Sequence, residues 1–156
     1  MLATSGGKAI RFAENTIRST GRKTMGVRGI SMSFDDDFVV GMLVVKRDGS
    51  ILAATDKGYG KRTGVEAYRT QNRGGKGMKG ANTKQDDFVE HLFIANTHNY
   101  MLFFTDKGKC YWLKVYDIPQ GGRAARGRAI VNLIGCEPNE KVEAFVSVKE
   151  FDDQHY

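Results

Sequence analysis

Thr4-Ser5-Gly6-Gly7-Lys8, Thr55-Asp56-Lys57-Gly58-Tyr59 and Thr105-Asp106-Lys107-Gly108-Lys109 are one phrase written three times. The threonines stand 51 and then 50 residues apart, and the same two steps separate Arg22, Arg73 and Arg123, and then Gly26, Gly77 and Gly127. A period near fifty that encloses several short apolar runs marks a radial β repeat. One such unit is a small sheet that must stack on its neighbours to bury its faces.

The strand before this phrase is Ile51-Leu52-Ala53-Ala54-Thr55 or Met101-Leu102-Phe103-Phe104-Thr105, and Met1-Leu2-Ala3-Thr4 is that strand entered partway. The strand after it runs through 8–12, 59–63 and 109–115. Earlier in each unit an acidic pair opens an apolar run, at 36–45 and 86–95, with 141–148 as the third opening. β-Branched and aromatic content over about eight residues favours strand over helix. Turns follow at Arg47-Asp48-Gly49-Ser50 and Thr97-His98-Asn99-Tyr100, where Asp-Gly and His-Asn tolerate positive φ. A Gly- and Arg-rich loop then leads to a fourth strand at 27–30, 78–80 and 129–133. The reading is all-β: about three four-stranded blades in one module, 1–156, with units near 1–34 (partial), 35–84, 85–135 and 136–156 (partial). Helix is expected only as turns near 14–18 and 115–118.

With 156 residues, 40% of them hydrophobic and 10% aromatic, the chain holds a core and is no disordered tail. No apolar run approaches the roughly 20 residues of a membrane helix, and no signal pattern opens the chain, so an intracellular protein without a membrane partner is expected. Cys110 and Cys136 have no companion at ligand spacing and read as free thiols.

The charge is the more telling feature. The net value is +6, and by half-repeat it alternates: +5 for 1–34, −3 for 35–56, +7 for 57–84, −4 for 85–106, +5 for 107–135 and −4 for 136–156. Alternation in phase with the repeat lays a positive stripe around a radial assembly, for which nucleic acid is the natural counter-surface. In the +7 segment Lys57, Lys61, Arg62, Arg69, Arg73, Lys76, Lys79 and Lys84 face only Glu66. Arg11 aligns with Arg62, Arg18 with Arg69 and Arg28 with Lys79, so the cluster recurs, which favours phosphate contact over a merely solvated face. Backbone N–H groups of a Gly-rich turn also meet phosphate oxygens.

Other motifs carry less. Residues 75–80 match GxGxxG, but their flanks, Arg69-Thr70-Gln71 and Ala81-Asn82-Thr83, are polar, whereas a dinucleotide site needs a buried strand before and an apolar helix after. His91, His98 and His155 share no ligand spacing, and Asp35-Asp36-Asp37 and Asp86-Asp87 lack a Gly-punctuated ligand loop, so they read as soluble strand starts and no metal is expected. Tyr100, Phe103, Phe104, Tyr111, Trp112 and Tyr116 lie on alternating strands and read as core before stacking platforms. No nucleophile has a base and an orienting partner, so no catalytic residue and no cofactor is assigned.

Gln71-Asn72-Arg73-Gly74-Gly75-Lys76-Gly77 resembles the seven-residue box of the C-terminal domain of the DNA gyrase A subunit, with Asn72 where the family box usually has a second basic residue. Gly58-Tyr59-Gly60-Lys61-Arg62-Thr63, Phe104-Thr105-Asp106-Lys107-Gly108, Lys114-Val115-Tyr116-Asp117-Ile118-Pro119 and Arg126-Gly127-Arg128-Ala129-Ile130 are similar to that family's repeat phrases. The related topoisomerase IV subunit shares the repeat and matches the box only weakly. The resemblance implies a β-pinwheel, a propeller-like wheel of about six blades, of which this chain carries about three. It implies a rim that wraps duplex DNA to support negative supercoiling in an ATP-dependent type II topoisomerase. Its partners there are the gyrase B subunit and a second A subunit, in the bacterial cytoplasm at the nucleoid. The family's nucleophilic tyrosine lies in a separate region that this chain does not match.

The expected DNA-binding residues are Arg62, Arg69, Gln71, Arg73, Gly74, Gly75, Lys76, Gly77 and Lys79, with Arg22, Arg28, Arg123, Arg126 and Arg128 continuing the track on neighbouring units. The competing reading is a propeller-type platform for an acidic protein or RNA. Three blades also leave open edges, which predicts self-association, two copies supplying six.

Overall fold

The reason these strands form sheets in groups, and never singly, is visible in their burial. The computed structural model describes residues 1–32, 34–45, 49–55, 58–80, 89–149 and 151. Lys57, Lys84, Arg47, Asp48, Asp86, Asp87 and His155, and the side chain of His91, lie outside the described residues. In the first unit β1 (Leu2–Thr4) and β2 (Lys8–Ile10) form the hairpin around the Thr4 phrase, and β3 (Val39–Met42) pairs with β1. The second unit repeats this with β4 (Ser50–Thr55), β5 (Tyr59–Gly64) and, after the short β6 (Met78–Lys79), β7 (Val89–Ala95). The third has β8 (Tyr100–Thr105), β9 (Cys110–Lys114), the short β10 (Arg128–Ala129) and β11 (Val142–Val148).

Pairing does not follow the repeat boundaries. The first sheet has the order β3-β1-β2-β6, the second β10-β5-β4-β7 and the third β11-β8-β9. Each fourth strand therefore joins the sheet before its own, β6 on β2 and β10 on β5, and the units are interlocked by strand exchange. The exchange follows from the 3-10 turns Val65–Ala67 and Val115–Asp117, which take the chain off the end of the third strand and across to the preceding sheet. A matching turn at Glu14–Thr16 occupies that place in the first unit.

Position in the stack explains the patterning. Strand β4 belongs to the middle sheet and carries the uninterrupted run Ile51-Leu52-Ala53-Ala54, all buried, because both its faces are covered. Strand β8 belongs to the last sheet and alternates, with Met101 and Phe103 buried and Phe104 exposed. Two core clusters fill the spaces between sheets. One gathers Met1, Ala3, Ala9, Ile51, Val65 and Tyr68, the other Leu52, Ala54, Met101, Phe103, Val115, Ile118 and Ile130.

Three expectations are corrected. The expected strand at 129–133 is a strand only at Arg128–Ala129; Ile130–Ile134 is a short α-helix, α1, closed by Gly135 at φ 65°. Its Ile130, Leu133 and Ile134 stand at helical spacing on the core side, and that packing overrides the β-branched preference. Residues 27–30 form no strand, and their backbone instead bonds the loop at 73–75. A third 3-10 turn, Val65–Ala67, joins the two expected ones. Among the described residues no helix is long and apolar enough to cross a membrane.

Candidate nucleic-acid interface

The box at 71–77 is a tight loop between the Val65–Ala67 turn and β6, and its shape depends on two glycines in the left-handed region, Gly74 at φ 82° and Gly77 at φ 70°. Those dihedrals cost an L-residue about 1–2 kcal/mol. At Gly77 a side chain is barred for a second reason, because a Cβ there would stand 2.9 Å from the Ala9 carbonyl oxygen on β2. The loop is stitched to the segment that aligns with β6 in the first unit. Gly74 N–H donates to Gly29 O (2.8 Å), Ser31 N–H to Gly75 O (2.9 Å), and Ser31 Oγ to Gly74 O (2.7 Å).

The arginines at aligned positions do one job twice. Arg73 Nη1 donates to Arg28 O at 2.7 Å, and Arg123 Nη1 donates to Lys79 O at 2.7 Å, the same contact carried one unit on. Arg73 Nε also reaches Thr16 O (3.3 Å). Each bond runs from a guanidinium of one unit to the backbone of a basic residue of the previous one, Arg73 to Arg28 and Arg123 to Lys79. Arg28 additionally lays its stem along Gly74. Arg126 holds its guanidinium 4.5 Å above the Tyr59 ring, a cation–π contact across the β5–β10 pair.

A second set of basic residues faces inward. Arg62 donates through Nε to Ile118 O (3.3 Å) and through Nη2 to Tyr116 O (3.4 Å), and Arg11 donates in the same way to Val65 O and Tyr68 O. These two arginines fasten the 3-10 turn of the following unit. The sequence puts Arg62 among the leading DNA contacts; like Arg73, it gives two of its five N–H donors to backbone carbonyls, which leaves three. Lys61, a surface cation by its sequence neighbourhood, is buried, and its Nζ donates to the carbonyls of Gly122, Arg123 and Ala125 at 2.6 to 3.0 Å. Burial, with the charge of Arg123 second, lowers its pKa to about 8. The repeat contained the signal, since Lys61 aligns with Ile10, the inward residue beneath Gly75.

Arg22, Arg28, Arg69, Lys76, Lys79, Arg126 and Arg128 are exposed, and Arg73 and Arg123 are half-buried. Among the described residues none of these nine has a carboxylate within ion-pair distance. Gln71 differs. The residue is half-buried, its Nε2 is buried with no partner among the described residues, and its backbone N–H donates to Arg11 O. Gly75 gives its carbonyl to Ser31 and leaves its surface to the loop.

Two further readings change. Asp37 is more than a soluble strand start, because its Oδ1 accepts from Ser5 Oγ (3.0 Å) and Gly6 N–H (2.9 Å) and closes the first hairpin turn. Of the six aromatics expected in the core, Phe103 is buried, whereas Phe104, Trp112 and Tyr116 are exposed. A buried network that sequence reasoning missed surrounds Glu140, which accepts from Thr105 Oγ1 (2.5 Å), Tyr111 Oη (2.9 Å) and Glu137 N–H (3.0 Å). The Thr105 hydrogen bond is the main reason its carboxyl titrates below the usual range. Among the described residues no cluster of His, Cys, Asp and Glu is arranged to hold a metal.

A family model described as DNA gyrase C-terminal domain, beta-propeller, matches residues 1–46, 49–96 and 99–149. The DNA gyrase A subunit of Clostridium acetobutylicum is 47% identical over 113 residues, 72% of this chain and 14% of that protein. The chain thus spans about one-seventh of that relative's length. In shape the chain is similar to the C-terminal domain of a DNA topoisomerase IV (TM-score 0.77, 22% identity, 94% of this chain and 45% of that one). It is also similar to a DNA gyrase A C-terminal domain (TM-score 0.76, 20% identity, 94% and 49%).

Proposed function

The chain belongs to the DNA gyrase C-terminal domain family, and from that premise we propose that it binds duplex DNA without base specificity and bends it, as the wrapping part of a type IIA topoisomerase that introduces negative supercoils. The observation that carries the proposal is the repeated bond of Arg73 to Arg28 O and Arg123 to Lys79 O, which ties a guanidinium with no carboxylate partner among the described residues to the backbone of a basic residue in the preceding unit. A cation every unit along a curved stack is what a phosphate backbone needs in order to follow the curve.

The contact residues are Arg69, Arg73, Lys76 and Lys79 on the central unit. Arg22 and Arg28 continue the track on one side, and Arg123, Arg126 and Arg128 on the other. Gly74, Gly75 and Gly77 act through loop shape, Arg62 by holding the following turn, and Gln71 by its place in the loop. Affinity comes from neutralising phosphates and releasing condensed counterions. Bending a site of twenty to thirty base pairs costs on the order of 1–6 kcal/mol, which the added contacts offset. The chain supplies binding and geometry, while cleavage belongs to other parts of an enzyme that also includes the gyrase B subunit and a second A subunit, in the bacterial cytoplasm at the nucleoid.

The test is affinity against duplex length. A wrapping surface gains affinity, and a steeper dependence on salt, as the duplex outgrows what one unit can touch. A platform for acidic protein or RNA shows no such gain, and that result would reject the proposal.

A further inference from the structure

The loops at 71–77 and 121–127 have equal length and carry cations at the same two places, Arg73 and Lys76 in one, Arg123 and Arg126 in the other. They share an inner bond, Gly75 N–H to Asn72 O and Ala125 N–H to Gly122 O. They are nevertheless turned in different ways. In the box Gly74 is left-handed, and the carbonyls of Gly74 and Gly75 face Ser31 of the preceding unit. The later loop has Ala124 and Ala125 there, neither of them left-handed. Its carbonyls at Gly122, Arg123 and Ala125 turn inward instead, onto Lys61 Nζ. Ile10, which aligns with Lys61 and lies beneath Gly75 of the box, has no donor to offer.

Lys61 is 3% exposed, and it lines an apolar cavity with Ala53, Met101, Phe103 and Ile130. Among the described residues no carboxylate lies within ion-pair distance of it. Its pKa, lowered to about 8 chiefly by burial and then by the charge of Arg123, leaves the amine protonated at neutral pH. Three ammonium donors thus meet three carbonyls and hold the loop from inside. A trans peptide unit is planar, and its N–H points away from its C=O. With these carbonyls on Lys61, the N–H groups of Arg123, Ala124 and Arg126 are turned away from it, and none of the three donates to an acceptor among the described residues. Ala124 and Arg126 are exposed and Arg123 is half-buried. Convergent backbone N–H groups beside guanidinium groups suit an anion of the phosphate class.

We propose, on the reading that the chain binds duplex DNA, that Lys61 is a positioning residue for phosphate: by drawing three carbonyls inward, its ammonium presents the N–H groups of Arg123, Ala124 and Arg126 to one phosphate group beside the two arginine side chains. The box places its cations by left-handed glycine, whereas this loop places them by a buried cation. Lys61 therefore governs a DNA contact without touching DNA.

Backbone amide resonances, followed as inorganic phosphate or a duplex of about twenty to thirty base pairs is added, test this. Those of Arg123, Ala124 and Arg126 are expected to shift with both. In Lys61→Met these shifts are expected to vanish, and the slope of log K against log salt for the duplex to fall by about two, although no exposed cation has been removed. Arg126→Ala is expected to lower that slope by about one in the unaltered chain and no further in Lys61→Met, whereas Lys76→Ala, in the box, lowers it by about one in both. A purely structural role for Lys61 would lower the urea midpoint alone. Inorganic phosphate that moves the three amides of a chain whose duplex affinity does not grow with length would reject DNA wrapping and keep the phosphate site. Amides that neither anion moves, or an Arg126→Ala effect that persists in Lys61→Met, would overturn the role of Lys61, and duplex binding that still grows with length would leave the wrapping reading standing.

Discussion

Adding one methyl group at each of three glycines, Gly108 in the β8–β9 hairpin turn and Gly77 and Gly127 beside the exchanged strands, separates the two reasons why glycine is needed in this fold. Gly108 has φ 72° and nothing within 4 Å of the place a methyl group would occupy, so Gly108→Ala tests the dihedral alone. Gly127 is outside the left-handed region, but a Cβ there would meet the Gly60 carbonyl oxygen at 2.6 Å, so Gly127→Ala tests close approach alone. Gly77 combines φ 70° with a Cβ position 2.9 Å from Ala9 O and 3.1 Å from Ile30 Cδ1. Left-handed alanine costs about 1–2 kcal/mol, offset by about 0.4–1 kcal/mol from the stiffer unfolded chain, so Gly108→Ala should destabilise by roughly 0.5–1 kcal/mol. Forcing a methyl group against backbone costs about 1–3 kcal/mol, which is the expectation for Gly127→Ala. Gly77→Ala should lose about 2–4 kcal/mol, as the two effects combine. Urea unfolding measures all three, and the bend in a fluorescently end-labelled duplex of twenty to thirty base pairs is expected to shrink for Gly77→Ala although no charge is removed. If Gly77→Ala were no more destabilising than Gly108→Ala, the claim that β6 is held against Ala9 by a forbidden side chain would be wrong.

Lys76→Ala and Lys79→Ala should each lower the slope of log K against log salt by about one, equally for any DNA sequence, as fluorescence anisotropy titrations would show. Arg62→Ala should leave that slope unchanged while lowering stability by about 1–3 kcal/mol, because two carbonyls of the following turn lose a charged donor. A slope reduced by one at unchanged stability would return Arg62 to the DNA track. Lys61 gives a pH signature. Its folded pKa, about 8, lies below the unfolded value near 10.4, so between these values the unfolded chain binds more protons and this residue makes stability rise with pH. Below pH 8 the cost of burying the charged amine is present in full, and above about 10.4 it is relieved. The difference in urea midpoint between the unaltered chain and Lys61→Met should change over that window, and a flat difference would refute the buried-amine reading.

The period was legible because Thr4, Thr55 and Thr105 each close the same hairpin, their hydroxyls accepting from the backbone N–H of Lys8, Tyr59 and Lys109. The strands around that phrase were legible for the same reason. Their partners were not. Nothing local in Met78-Lys79 says that they pair with Lys8 and Ala9 of the preceding unit, since a two-residue strand has no pattern of its own and its pairing is set by where the Val65–Ala67 turn sends the chain. The basic residues show the same limit. Arg62 and Arg69 look alike in sequence, yet strand alternation puts Arg62 toward the next unit's turn, while Arg69, beyond the strand, is exposed. Charge in phase with the repeat picked out the basic residues but could not separate those left exposed from those that hold carbonyls. Trp112 was hidden differently, since an aromatic on an alternating strand reads as core from sequence whichever face it stands on, and here it is exposed.

The clamps and the proposed track share residues. Arg73 is held by the backbone carbonyl of Arg28 and Arg123 by that of Lys79, so each clamp ends on the main chain of a basic residue of the preceding unit. In the proposed wrapping a phosphate takes the N–H donors the guanidinium has left, since five are available and the carbonyls of Arg28 and Thr16 occupy only two groups of Arg73. On the proposed reading a duplex that needs those donors binds best to the clamped stack and stabilises it in turn, by linkage. The same bonds then place the proposed contact cations, and glycine at 74 and 77, which fixes where those bonds form, contributes to that surface without touching a phosphate.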